Sequence, residues 1–151
     1  LKTVIFCSGC HFPVSSIAGF IYLGILPPNL SREAVWNTFC IDGPYNGGGY
    51  LGKAPDGTRI MAFSAPSSGH LLANLAGSFL EINGVSKNNY QVVELPIHEG
   101  PLLALGQMLL KWPVTRPVGR RLVENCLKKI YPLLVQAVKL DANFQISDNG
   151  I

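Results

Sequence analysis

The sequence predicts an α/β domain: a three-layer sandwich with a mixed, largely parallel sheet, opening on a P-loop-like strand, loop and helix. Three observations carry that expectation. Thr3–Phe6 is a continuous β-branched and aromatic run, the pattern of a strand covered on both faces. Extended patterns at Thr58–Ser64 and Tyr90–Leu95 repeat the sequence of strand, small-residue loop and helix. At 151 residues, 48% hydrophobic and 14% charged, the chain has material for a single core and one domain over residues 1–140, with a frayed tail at 141–151.

Each element has a local cause. Cys7–Val14 contains Gly9 and Pro13 and is therefore a loop, after which Ser15 or Ser16 can cap a helix by accepting from its free amides. Ile17, Phe20, Ile21, Gly24 and Ile25 recur at helical spacing, and Pro27 with Pro28 stops the run. Ser31–Phe39 is predicted to be a short helix capped by Ser31, and Asp42–Gly49 a turn-rich glycine loop. Tyr50–Lys53 and Thr58–Ser64 flank Pro55-Asp56-Gly57, a turn signal, and so form a hairpin.

A second small-residue loop, Ala65–Gly69, precedes a helix from about His70 to Ile82, capped by Ser67 or Ser68. Leu71, Leu75, Phe79 and Ile82 are its predicted buried stripe, and Asn83-Gly84 its end. Tyr90–Leu95 is the next buried strand, Pro96–Gly100 the third loop, and Pro101–Lys111 a helix. With prolines at 113 and 117, the segment Trp112–Arg121 is expected to be irregular. Leu122–Leu140 closes the fold as a helix burying Val123, Cys126, Leu127, Ile130, Leu134 and Val138, with a kink at Pro132. In open sheets of this kind a site forms where loops leave the carboxyl ends of strands, so the three loops are expected to converge.

Charge narrows the partners. The net charge of +3 is too small to imply nucleic acid, but Lys111 to Lys139 holds seven cations and the single acid Glu124. That segment is either a solvated helix face or a source of positive charge for an anion site. The uncharged stretch from Thr3 to Ser31 contains an apolar part, Ile17–Leu26, well short of the roughly 20 residues that span a bilayer. No small-residue cleavage site follows it, so core burial and no membrane partner are expected. Cysteines at 7, 10, 40 and 126 do not make a disulfide framework in a chain able to build its own core, and reduced thiols in a cytoplasmic protein are expected.

The first loop permits several chemistries. Cys7-Ser8-Gly9-Cys10-His11 matches the attachment motif of c-type haem, which requires export. Cys7 and Cys10 after a strand are also the spacing of a redox dithiol, although the helix start that would activate the first thiol lies five residues beyond Cys10. Cys7, Cys10 and His11, with Cys40 or His70, can be written as a zinc set that lacks a second close pair, and no metal site is assigned. Against the Walker pattern, Gly9 and Ser16 are in register, while the second glycine and the lysine are missing. Amides and hydroxyls at a helix start still make an anion pocket, to which Arg116, Arg120 or Arg121 can add charge. His70 reads as a capping or surface residue. His98-Glu99 is the best acid/base pair after a strand end, and Cys126 belongs to an apolar helix face. No Ser-His-Asp triad is spelled, and no cofactor is specified.

In series, the motifs resemble an uncharacterised bacterial family, domain of unknown function 3189. Its pattern is a first strand ending in Cys-Tyr-Gly-Gly, a His and paired serines, a small-residue helix, and Leu-Gly before a proline. A glycine hairpin, a strand, a Gly-Gly segment and a late Gly-Arg follow. The corresponding stretches here are CSGCHFPVSSIAGFIYLGILP, YLGKAPDGTRIMAFS, EGPLLALGQMLLK and VGRR. Ser8 replaces the tyrosine, Cys10 the second glycine, and His11, Ser15 and Ser16 are spread further apart. The resemblance implies the fold and the place of the site, and it lowers the haem and dithiol alternatives because the family pattern has one of the two cysteines. The expectation is a small-molecule anion (phosphate or nucleotide-like) site, possessed by either a binding domain or a hydrolase or transferase. Gly9, Ser15, Ser16, Arg116 and Arg120 would bind, and His11, His98 and Glu99 would supply acid/base chemistry. The alternative is a non-catalytic protein-interaction module that uses the Asp42–Gly49 loop and the basic C-terminal segment.

Overall fold

The computed structural model describes residues 2–29, 48–66 and 68–148, the last eight of them by backbone only. The predicted helix at Ser31–Phe39, Cys40, most of the glycine loop at Asp42–Gly49, and Ser67 lie outside the described residues. Four strands form a mixed sheet in the order β2-β3-β1-β4. They are β1 (Thr3–Ser8), β2 (Gly48–Lys53), β3 (Arg59–Ser64) and β4 (Tyr90–Glu94). β1 pairs in parallel with β3 and with β4, while β2 and β3 form the antiparallel hairpin expected around Pro55-Asp56-Gly57.

β1 is central because its side chains need cover on both faces. Val4 and Phe6 enter the main core, and the alternate residues Ile5 and Cys7 are buried from the opposite side. α1 (Val14–Tyr22) packs on β1, β3 and β2, and α2 (Gly69–Ile82) on β1 and β4. α3 (Pro101–Leu110) packs mainly on α4 (Arg116–Asp148), which also crosses α1. Val123, Leu127, Leu134 and Val138 of α4 are buried as the periodicity predicts, joined by Tyr131, whose hydroxyl donates to the Pro27 carbonyl.

Several boundaries differ from expectation for identifiable reasons. α1 begins at Val14 with Pro13 at its N-cap, so Ser15 and Ser16 lie inside the first turn and do not cap it. It ends before the prolines, in a Schellman motif. The amide of Ile25 donates to Phe20 O and that of Gly24 to Ile21 O, with Gly24 at φ +72°. The stripe Leu71, Leu75, Phe79 and Ile82 is exposed instead of buried. α2 is apolar on two faces, and the sheet takes the one bearing Leu72, Ala76 and Leu80, which are half-buried. The supposedly irregular Arg116–Arg121 is helical, because a proline at position 117 falls in a first turn, where no amide partner is lost. The helix then runs through Pro132 and on to Asp148, past the residue where fraying was expected.

α3 and α4 approach closely through two glycines. A Cβ on Gly119 would sit 2.8 Å from the Gly106 carbonyl and 2.9 Å from the Leu110 amide nitrogen, both backbone atoms. Gly119→Ala should therefore push the helices apart and destabilise the fold by about 1–3 kcal/mol. A urea titration in which the midpoint falls at unchanged slope checks this; an unchanged midpoint contradicts it.

Candidate functional site at the carboxyl edge of the sheet

Because β1, β3 and β4 are parallel, the segments that follow them leave the same edge. The three loops expected to converge do so through specific contacts. Ser8 closes β1 and stands in register with Ser64, the last residue of β3. Their hydroxyl oxygens are 2.9 Å apart, and the Ser64 oxygen is 2.5 Å from that of Ser15 in α1. The chain of three hydroxyls ties both strand ends to the helix start. Ser8 and Ser15 are fully buried and Ser16 is 1% exposed. The Ser16 hydroxyl has no hydrogen-bond partner among the described residues.

The second and third loops close on the first. Gly69 lies against Gly9, its position for a Cβ being 3.4 Å from the Gly9 amide nitrogen and 3.5 Å from a Glu94 carboxylate oxygen. Cys10 donates its thiol to the Ile97 carbonyl at 3.2 Å, and the His11 amide donates to Glu99 Oε2 at 2.9 Å. Gln107 of α3 donates to the other Glu99 oxygen at 2.5 Å. His70 Nδ1 is 3.4 Å from Glu94 Oε2 at the exposed rim.

The candidate residues thus divide. Gly9, His11, Ser15, Ser16 and Glu99 come together at this edge, with His98 exposed on the third loop beside Glu99. Arg116 and Arg120 do not join them within the chain. Arg116 donates from Nε to the Leu110 carbonyl at 3.4 Å, and Arg120 pairs with Glu124 at 3.3 Å. Both lie by the end of α3 that is farther from the loop, a helix length of roughly 15 Å away at 1.5 Å per residue. Sequence reading missed Ser8, Ser64, Glu94 and Gln107. A usable signal was present for the serines, since two strands each end on a hydroxyl residue that leads into a loop.

Burial sets the state of both thiols at this edge. Burial, and secondarily the Glu94 charge, pushes the Cys7 thiol up to about 11. Cys10 is raised by burial and by Glu99, partly offset by a hydrogen bond to its sulfur. Neither thiol is poised as a thiolate, which weighs against redox and zinc chemistry here. Among the described residues no group of three or more His, Cys, Asp or Glu side chains is arranged to hold a metal ion. No helix among them is long and apolar enough to cross a membrane.

A family model described as "Protein of unknown function (DUF3189)" matches residues 3–140. The chain belongs to this family. No curated protein and no solved structure matches the chain. The match covers every strand and every loop of the carboxyl edge, so this DUF3189 member carries its candidate site within the family region.

The thiol chemistry gives a direct expectation. In the folded protein at pH 7.5, Cys7 and Cys10 should react with a thiol reagent at least tenfold more slowly than after unfolding in guanidinium, and rapid native labelling would contradict their burial. Since the folded Cys7 holds its proton more tightly than the unfolded chain, its contribution to stability is complete below pH 9 and is lost as pH rises towards 11.

Proposed function

We propose that the carboxyl edge binds a small oxyanion, inorganic phosphate or the phosphate group of a nucleotide-like ligand, in a P-loop-like turn within a three-layer α/β sandwich. The observation that carries this is the Ser16 hydroxyl, buried in the first turn of α1 and without a hydrogen-bond partner among the described residues. A buried hydroxyl left without a hydrogen bond costs about 1–3 kcal/mol, so its retention fits a ligand that supplies the missing partner. No side chain caps α1, and with the Val14 amide donated to the Phe12 carbonyl, the Ser15 and Ser16 amides are the ones that would meet an anion beside that hydroxyl. The neighbouring His11 amide already holds a carboxylate, that of Glu99, and so presents its N–H to anionic oxygen.

His11, His98 and Glu99 border this position. They are the groups that would exchange protons if the bound phosphate were transferred or hydrolysed. A second reading, an interaction module, draws on a different feature: the outward face of α3 is apolar and exposed among the described residues, beside the basic start of α4, with Leu102, Met108 and Trp112 all more than half exposed.

Thermal denaturation tests the first reading. Phosphate or a nucleoside phosphate at 5 mM should raise the melting temperature by a few degrees, the shift expected when ligand exceeds its Kd by one to two orders of magnitude. Ser16→Ala should abolish most of the shift while leaving the unliganded melting temperature equal or higher. No shift in the wild type at this concentration would overturn the proposal.

A further inference from the structure

The carboxyl edge holds Glu94 and Glu99, while Lys111, Arg116 and Arg121 belong to the far end of the α3–α4 hairpin, where Arg116 donates to the Leu110 carbonyl. From this arrangement we infer that a second copy of the chain packs antiparallel on α3 and brings its Lys111, Arg116 and Arg121 to this copy's carboxyl edge. The anion-binding role given to those cations rests on the function proposed above; the dimer does not.

Three features support a copy of the same chain as the occupant. α3 contains no charged residue and is apolar around nearly its whole circumference. Leu103, Gly106 and Leu110 are spent on α4, and Leu102, Leu105 and Met108 face outward, continued by Trp112. These outward residues recur every three or four positions, the spacing of a helix–helix seam. A helix apolar on both faces requires burial on both.

The patch is also of sufficient size. Leu102, Leu105, Met108, Trp112, Val114 and Val118 are between 44% and 91% exposed. Together they offer on the order of several hundred Å², the scale at which exposed apolar surface marks an interaction site.

Charge then fixes the orientation. In a two-fold contact, where residue i of one copy meets residue j of the other, j of the first also meets i of the second. A parallel arrangement would set Lys111, Arg116 and Arg121 against the same cations of the other copy. An antiparallel one centred near Gln107 places them opposite His98–Pro101, where Glu99 and the mouth of the first loop lie. The acidic end of one hairpin meets the basic end of the other, and an anion bound at Ser16 gains a guanidinium partner from the other copy.

The test uses the full chain in a Cys40→Ser, Cys126→Ser background. Sedimentation should give a dimer at micromolar concentration, and Leu105→Glu, a change at an exposed position checked for folding by circular dichroism, should give a monomer. A short bismaleimide should join His98→Cys to Arg116→Cys when the two variants are mixed, and should not join either variant to itself. Titration with inorganic phosphate should show at least a tenfold loss of affinity in the Leu105→Glu monomer. A wild-type monomer at all concentrations, a dimer unaffected by Leu105→Glu, or cross-linking of Arg116→Cys to itself would overturn the inference. Phosphate affinity equal in monomer and dimer would overturn the shared site. If the wild type dimerises and cross-links as described but binds no phosphate, the anion reading fails and the dimer stands.

Discussion

The fold depends on one constraint: β1 is buried on both faces and flanked by two strands that run parallel to it. Parallel pairing requires each connection to cross the sheet, so β1, β3 and β4 all release their chains at one edge. The loops that follow them are drawn together by the backbone before any side chain is considered. The amide of Leu95 donates to the Cys7 carbonyl and that of Ala65 to Ser8, continuing the pairing beyond the strands. What the side chains add is selectivity. Serines meet serines across the strand ends, a thiol meets a carbonyl, and Glu99 meets an amide and an amide side chain.

Polar groups in that confined edge are handled by pairing, with one exception. Ser8, Ser15 and Ser64 satisfy one another in a place where an unpaired hydroxyl would cost stability. Ser16, one residue further along α1, is equally buried and finds no partner among the described residues. Burial, and secondarily the nearby Glu94 and Glu99, makes the edge a poor place for a thiolate, which separates Cys7 and Cys10 from the reactive cysteines whose spacing they share. Seven of the twelve lysines and arginines fall between Lys111 and Lys139, after α3, while Gly106 and Gly119 allow α3 and α4 to touch and α3 keeps an apolar outer face.

The parts of this arrangement that are local in sequence were legible. The two-faced burial of Thr3–Phe6, the turn at Pro55-Asp56-Gly57 and the loop after each strand follow from short-range patterns. They were enough to predict that the three loops meet at the carboxyl edge. Contacts across long separations were not legible. Ser64 is 49 residues from Ser15 and gives no hint of its partner. Arg116 and Arg120 read as candidates because charge can be counted in a sequence, whereas the direction of the hairpin that carries them cannot. Helix faces were ambiguous for a physical reason as well. α2 has two apolar stripes, and periodicity cannot say which one a sheet will choose. Pro117 marked a break under the rule for helix interiors, although in a first turn the same residue favours the helix.

The central claim is that the first turn of α1, at Ser15 and Ser16, is where an anion is held. Following the backbone amides by ¹⁵N NMR during a phosphate titration tests it most directly. The account predicts that the Ser15 and Ser16 resonances shift most, with saturable, mutually consistent curves. Shifts confined to the Lys111–Arg121 segment, with Ser15 and Ser16 unmoved, would contradict it.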